Sequence, residues 1–250
     1  VLESTQCETL SCIAAANSFL CAGTAHGMLT LWRIGHKKAQ RFGSWRMHHD
    51  ALLCCRIMFD DSGDHMVIFT GSADNKICKW TVPMKELPKL AMSGPEAGPI
   101  CKDHFGWVRA LDVSNSYVLS GAGDKTVRLL NHDLQSLSVL QVHDHWVTCV
   151  LWLSPGRAAS ASADGSVVLL STKESRLAAL ARFDVGKHWV YDMCRVRSGM
   201  IGLAIGDGTF GVWQITPGVG EEEGRYRFTR KTAWMHPPRS DGSQPRAMAV

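Results

Sequence analysis

Histidines, carboxylates and cysteines are the residues of this 250-residue sequence that could do chemistry, and three groupings stand out. His143-Asp144-His145 sets two imidazoles around a carboxylate, His48-His49 sets two side by side, and Glu221-Glu222-Glu223 is an acidic run. A zinc site needs three or four ligands at workable spacing with an organised outer shell. Neither histidine grouping supplies that. The glutamates lie among Gly and Pro residues (PGVGEEEG), the setting of a solvated turn. That stretch is no phosphate cradle either, since it is acidic and leads into no helix, and no G-x-x-x-x-G-K-[ST] loop or G-x-S-x-G elbow occurs. The nine cysteines (Cys7, Cys12, Cys21, Cys54, Cys55, Cys78, Cys101, Cys149 and Cys194) are odd in number and form no C-x-x-C. Several fall inside apolar runs such as LLCCRIMF and WVTCVLWL. They are expected to be small buried hydrophobes of a reduced intracellular protein, not disulfides or zinc ligands. No catalytic set, cofactor or metal is expected.

The bulk properties agree with an ordinary globular chain. Hydrophobic residues make up 45% and charged residues 20%, and the net charge is +4, too weak to argue for nucleic acid by itself. The one dense basic stretch, Arg225, Arg227, Arg230 and Lys231, suits an edge strand that uses charge to discourage pairing. No apolar run approaches the ~18 residues of a membrane span, and no signal peptide opens the chain. The expected location is the cytoplasm or nucleus, with no membrane partner.

The elements that carry these residues recur. A small-residue run, an acidic turn and an apolar stretch ending in Trp or Leu appear as CAGTAHGMLTLW, TGSADNKICKW, SGAGDKTVRLL, SASADGSVVLL and AIGDGTFGVW. They end at residues 32, 80, 130, 170 and 213, so the steps are 48, 50, 40 and 43 residues. A period in the forties with strand-like content marks a propeller blade. Each copy reads as two strands around a tight turn with Asp-Asn, Asp-Lys or Asp-Gly chemistry. An apolar run upstream (LLCCRIMF, WVRALDV, WVTCVLWL, WVYDMCRV) adds an inner strand, and a weaker stretch downstream (SLSVLQV, RLAALARF) an outer one. RLAALARF has helical propensity, but the repeat period predicts a strand.

These copies resemble WD40 repeats over nearly all of the chain. The resemblance implies an all-β propeller in which a His before the inner strand, a Ser or Thr on the second strand, an Asp in the turn and a Trp on the third share hydrogen bonds. His49, Thr70, Asp74 and Trp80 fit the full set. His104, Ser120 and Asp124 fit with Leu130 in the Trp place, as do His143, Ser160 and Asp164 with Leu170. The first copy has His26 for the turn Asp and Ala22 for the Ser. The fifth keeps Asp207 and Trp213 but has Leu203 and Gly186 in the Ser and His places. Blades are expected at about 7–45, 46–100, 101–140, 141–183 and 184–235, with 236–250 opening a sixth. Because that last unit stops early and the chain opens on Val1, the sequence is expected to be a piece of a longer protein, part of a seven-bladed ring, with a small closed propeller as the alternative.

The resemblance also places residues three and five positions after the His at the mouth of the central channel, where partners dock. These are Leu52 and Cys54, Trp107 and Arg109, Trp146 and Thr148, and Trp189 and Tyr191. Three Trp, a Tyr and an Arg on one face have the composition of an interface hot spot. The expected function is a non-enzymatic scaffold or adaptor recruiting proteins or peptides within a multiprotein complex. A nucleic-acid-associated propeller, with Trp and Arg stacking on single strands, is the alternative from another class. The substrate receptor of a ubiquitin ligase is a subtype of the first. The loop from Pro83 to Lys102, with four prolines, is expected to be a flexible insertion.

Overall fold

Residues 9–218 and 225–235 are described by a computed structural model. The strands follow the alternation and turn chemistry of the sequence and gather into five four-stranded antiparallel sheets, each in chain order. The first holds β1 (Leu10–Ala16), β2 (Phe19–Thr24), β3 (Met28–Ile34) and β4 (Ala39–Arg46). The second holds β5 (Leu52–Phe59), β6 (His65–Ser72), β7 (Ile77–Pro83) and β8 (Glu96–Cys101). The third holds β9 (Val108–Val113), β10 (Val118–Ala122), β11 (Thr126–Leu130) and β12 (Ser136–Gln141). The fourth holds β13 (Val147–Ser154), β14 (Arg157–Ser162), β15 (Ser166–Ser171) and β16 (Ala178–Asp184). The fifth holds β17 (Val190–Arg197), β18 (Met200–Ile205), β19 (Thr209–Pro217) and β20 (Tyr226–Met235). The chain divides into two compact units, 1–118 with 130–136 and 119–129 with 137–250. The expected opening of a sixth blade at 236–250 and the acidic run Glu221–Glu223 lie outside the described residues.

The hairpins between second and third strands share one backbone feature. The residue after the turn Asp, or after His26 in the first sheet, has positive φ in every sheet: Gly27, Asn75, Lys125, Gly165 and Gly208. Asn tolerates this region, and at Gly165 a Cβ would also run into the carbonyl oxygen of Gly186. Glycine is therefore required there on two counts.

Burial is greatest where neighbouring sheets of one unit meet. In the first unit Phe19, Leu29 and Leu31 pack with Leu52, Met66 and Ile68. In the second, Ala159 and Ala161 pack with Val190, Ile201 and Leu203. A knob-and-gap rule repeats. The first residue of an inner strand sits over a glycine on the second strand of the preceding sheet: Leu52 over Gly23, Val108 over Gly71, Val147 over Gly121. Hydroxyls add ties from Ser11 to the Leu52 carbonyl, between the first and second sheets, and from Thr148 to the Val190 carbonyl, between the fourth and fifth.

Two expectations about local structure are settled. RLAALARF is a strand, β16, as the period required. The Pro83–Lys102 segment is not a flexible insertion. It forms a 3-10 turn over Met84–Lys89, a short helix α1 (Leu90–Ser93) and then β8. Leu87 and Leu90 are buried in the first unit's core, and that burial holds the segment in place. The basic stretch lies at the start of and along β20, the outer strand of the fifth sheet, where Arg230 stacks over the Trp213 ring at 5.8 Å. Among the described residues no helix is long and apolar enough to cross a membrane.

The knob-and-gap rule is testable at Gly71, where an added Cβ would lie 2.7 Å from both the Cys54 sulfur and a Val108 methyl. Gly71→Ala should destabilise by ~1–3 kcal/mol in urea unfolding. Adding Val108→Ala to it should cost less than the sum of the two single changes, and strict additivity would contradict the contact.

Candidate functional site

The second blade shows how its buried polar set works. The imidazole is that of His48, not His49. The His48 ring is fully buried, its Nδ1 lies 3.1 Å from Asp74 and its Nε2 lies 2.8 Å from the Thr70 hydroxyl. Trp80 Nε1–H donates to the same hydroxyl at 2.9 Å. The chain of donors then runs one way: Trp80 to Thr70, Thr70 to His48, and His48 to Asp74. That order requires a neutral ring with its proton on Nδ1. Burial lowers the pKa of His48 even though Asp74 pulls the other way. Burial would raise the Asp74 carboxyl, but His48 and the backbone N–H groups of Lys76 and His49 outweigh it and hold it low. His49 is exposed and contributes only that backbone N–H, at 3.4 Å.

The fourth blade solves the same problem with an extra hydroxyl. Ser160 Oγ lies 2.8 Å from His143 Nε2, and Ser166 Oγ lies 2.8 Å from Nδ1. Ser166 donates onward to Asp164 at 2.6 Å. Asp164 also accepts the backbone N–H groups of Asp144 and Ser166, both at 2.8 Å. Burial pushes His143 down to about 4. The Asp164 carboxyl is also partly buried, but the Ser166 hydroxyl and the two N–H groups bring it to about 2. The sequence pattern missed Ser166. Two residues past the turn Asp is the position to inspect, because Thr126 there donates to Asp124 in the third blade at 2.7 Å.

In the third blade His104 and Ser120 are both buried, and Leu130 is buried in place of Trp. The first and fifth blades manage without the set. Thr24 Oγ accepts the N–H groups of His26 and Met28, replacing the missing turn carboxylate. In the fifth, Asp207 accepts the Thr209 N–H at 2.8 Å, while Leu203 is buried and Trp213 packs on Phe228. Cys21, Cys54, Cys55, Cys78, Cys101 and Cys149 are buried free thiols. Burial pushes Cys78 up to about 12 and Cys54 higher still. Among the described residues no group of three or more His, Cys, Asp or Glu is placed to hold a metal ion.

The surface residues separate into those offered to solvent and those consumed by packing. Because His48 replaces His49, Leu52 moves off the surface. It pairs with Ser72 as Val147 pairs with Ser162, and it is 0% exposed over Gly23. Cys54 is buried too. The second blade therefore offers Ala51 and Leu53 at these places, with no aromatic ring. The Thr148 hydroxyl is committed to the Val190 carbonyl. In the first unit Trp107 is 49% exposed, and Arg109 is half-buried, its pKa lowered by that burial.

The second unit brings three of the expected residues together. Trp146 and Trp189 meet edge to face at 5.7 Å, and Trp189 lies 5.9 Å from Tyr191. His145, which the spacing rule passed over, stands against both tryptophans at 5.1 and 5.8 Å. Trp189 and Tyr191 keep 36% and 39% of their surface exposed. Beside them opens a cavity of about 260 Å³ lined by Lys187, His188, Trp189, Tyr191 and Gly206.

Repeated four-stranded antiparallel sheets, each opened by a buried polar anchor or its substitute, are blades of a β-propeller. In sequence, the family model of the WD domain, G-beta repeat, matches residues 40–81, 98–131 and 134–170, so those three segments are WD40 repeats. The search of curated proteins gave no match. Among solved structures the fold resembles the WD40 β-propeller domain of Doa1, with a TM-score of 0.64 and 18% identity over 84% of this chain and 66% of that one. It also resembles the computationally designed Ika8 protein, with a TM-score of 0.64 and 16% identity over 89% of this chain and 71% of the other. The chain thus spans just under two thirds of the Doa1 domain. WD40 propellers are typically scaffolds for protein interactions.

Two measurements check the buried sets. His48→Ala should cost ~2–4 kcal/mol because it strands the Thr70 hydroxyl and Asp74, and His49→Ala less than ~0.5 kcal/mol; the reverse order in urea unfolding would return the role to His49. The second concerns pH. A histidine held at about 4 in the fold and near 6.5 when unfolded binds its proton first in the unfolded state. Stability is therefore full above about pH 6.5 and falls as pH drops towards about 4, by at most ~3 kcal/mol for His143. His48 adds in the same direction. An unfolding midpoint that does not move between about pH 7 and 4.5 would contradict this.

Proposed function

We propose that this chain is a non-enzymatic protein-binding module whose docking surface is built around Trp146, Trp189 and Tyr191. The observation that carries the reading is the unbroken run of ring contacts from His145 through Trp146 and Trp189 to Tyr191, with Trp189 and Tyr191 more than a third exposed. Rigid aromatic groups of this kind concentrate binding energy while losing little side-chain entropy. Trp107 occupies the equivalent place in the first unit and is also open to solvent, so we assign it, with Arg109 beside it in sequence, the same role. Leu52 is withdrawn from the surface by its burial. The imidazoles that could tempt a catalytic assignment, His48 and His143, have both ring nitrogens committed to structural partners, which supports the non-enzymatic reading.

A peptide selected on this chain from a random display library should bind Trp189→Ala and Tyr191→Ala at least ~30-fold more weakly, the ~2 kcal/mol of a hot-spot residue. The urea midpoints of both variants should stay close to the parent's, since neither ring is buried. Unchanged binding in both variants, with the fold intact, would sink the assignment.

A further inference from the structure

The cavity of the second unit has chemistry that the aromatic run alone does not explain. Its lining pairs two rings, Trp189 and Tyr191, with a primary ammonium, Lys187, and a second imidazole, His188. All four residues belong to the stretch that leads into and begins β17, and all are exposed. Gly206 supplies the remaining wall. Its N–H is used on the Trp189 carbonyl at 2.8 Å, and a Cβ there would lie 3.3 Å from the Tyr191 ring and 3.4 Å from the Trp189 carbonyl oxygen. A glycine therefore leaves open a space that any side chain would begin to fill. No ion pair to a described residue occupies the Lys187 ammonium.

We propose that this cavity receives an acidic peptide segment, with an aromatic or aliphatic side chain laid on Trp189 and Tyr191 and the carboxylate of a nearby Asp or Glu on Lys187 and His188. The inference rests on the docking reading above and adds the chemical class of the partner. One cation, Lys187, and an imidazole that can donate a hydrogen bond, His188, beside an apolar floor favour a negatively charged segment by complementarity. A single carboxylate suits the site better than a phosphate. There is one flexible ammonium and no guanidinium fork among the lining residues, and bidentate forks are what planar recognition of a dianion uses. Asp207, next in sequence to Gly206, already interacts with His188, so Lys187 is the cation that takes the incoming carboxylate and a doubly charged phosphate is repelled more strongly than a single carboxylate. A cationic segment is disfavoured outright by Lys187.

The test pans a random dodecapeptide display library on the intact chain and, in parallel, on Lys187→Glu and Trp189→Ala. Selected peptides should carry Asp or Glu within a few positions of an aromatic or aliphatic residue. The Lys187→Glu chain should weaken those peptides about tenfold, a charge reversal at a partly screened site, and should itself select Lys- or Arg-bearing peptides. Affinity of the acidic peptides for the parent should fall as salt is raised. Peptides that depend on Trp189 but show no acidic bias would overturn the acidic class and leave the docking surface standing. Failure to select any peptide that depends on Trp189 would overturn the docking reading and this inference together. If phosphoserine in place of the selected Glu bound much more tightly, the carboxylate assignment would fall.

Discussion

A histidine ring with no exposed surface can remain in a core only if both nitrogens are answered and the ring stays neutral. That constraint organises the second and fourth blades. In each, the ring belongs to the loop before the inner strand, one partner comes from the second strand, and the other comes from the turn that follows it. Three separate pieces of backbone are thereby fixed to one another by a few directional bonds. The partners differ: Trp80 closes the set in the second blade, whereas Ser166 bridges to the carboxylate in the fourth. The geometry common to both is a hydroxyl on Nε2 and a carboxylate, direct or relayed, on Nδ1. Low dielectric strengthens these bonds and makes the loss of any one expensive.

Fixing that loop has a consequence for packing. The residue four positions after His48 or His143 is the first of the inner strand, Leu52 or Val147, and it fills the space over a glycine of the preceding sheet. The polar set therefore sets the register of the apolar contact. Hydroxyl ties from Ser11 and Thr148 reinforce inner strand to inner strand at the joints of their own units. In the first blade no carboxylate is available, and Thr24 alone gathers the turn N–H groups. The hairpin survives because turn geometry needs an acceptor and a residue tolerant of positive φ, which Thr24 and Gly27 provide. It does not need the imidazole.

Much of this was legible in the sequence, because strands of alternating pattern, turns of Asp-Gly type and a period in the forties all report on backbone geometry. The error at His48 and His49 shows where that reading ends. The two histidines are adjacent, and the stretch Leu52-Leu53-Cys54-Cys55 is apolar in both phases, so alternation gives no sign of which Leu faces inward. A slip of one residue moves every side chain to the other face, and it carried Leu52 from the core to the proposed surface. The Pro83–Lys102 segment misled for a different reason. Proline-rich composition predicts irregular backbone correctly, but Leu87 and Leu90, three residues apart, bury themselves in the core and hold it in place. Ser166 was hidden by its ordinary type, since a serine after an Asp-Gly turn looks like turn chemistry. The aromatic run was foreseen for Trp146, Trp189 and Tyr191 because a spacing rule reached them. Lys187, His188 and Gly206 fall outside any such rule.

The fifth blade explains why the candidate cavity lies where it does. In the fourth blade an imidazole fills the position four residues before the inner strand and is held from within by two serines. In the fifth that position is Gly186, at a φ of 147°, and the second-strand partner is the apolar Leu203. With no buried ring to anchor, Lys187 and His188 are exposed, His188 beside Asp207 of the following turn. The inner strand is still held, because Val190 is fully buried and the Trp189 carbonyl accepts the Gly206 N–H. The backbone under Trp189 and Tyr191 is therefore fixed while the space around them is left unfilled. Loss of the structural histidine thus frees this loop to present Lys187 beside its aromatic rings, which couples a departure from the repeat pattern to the candidate site.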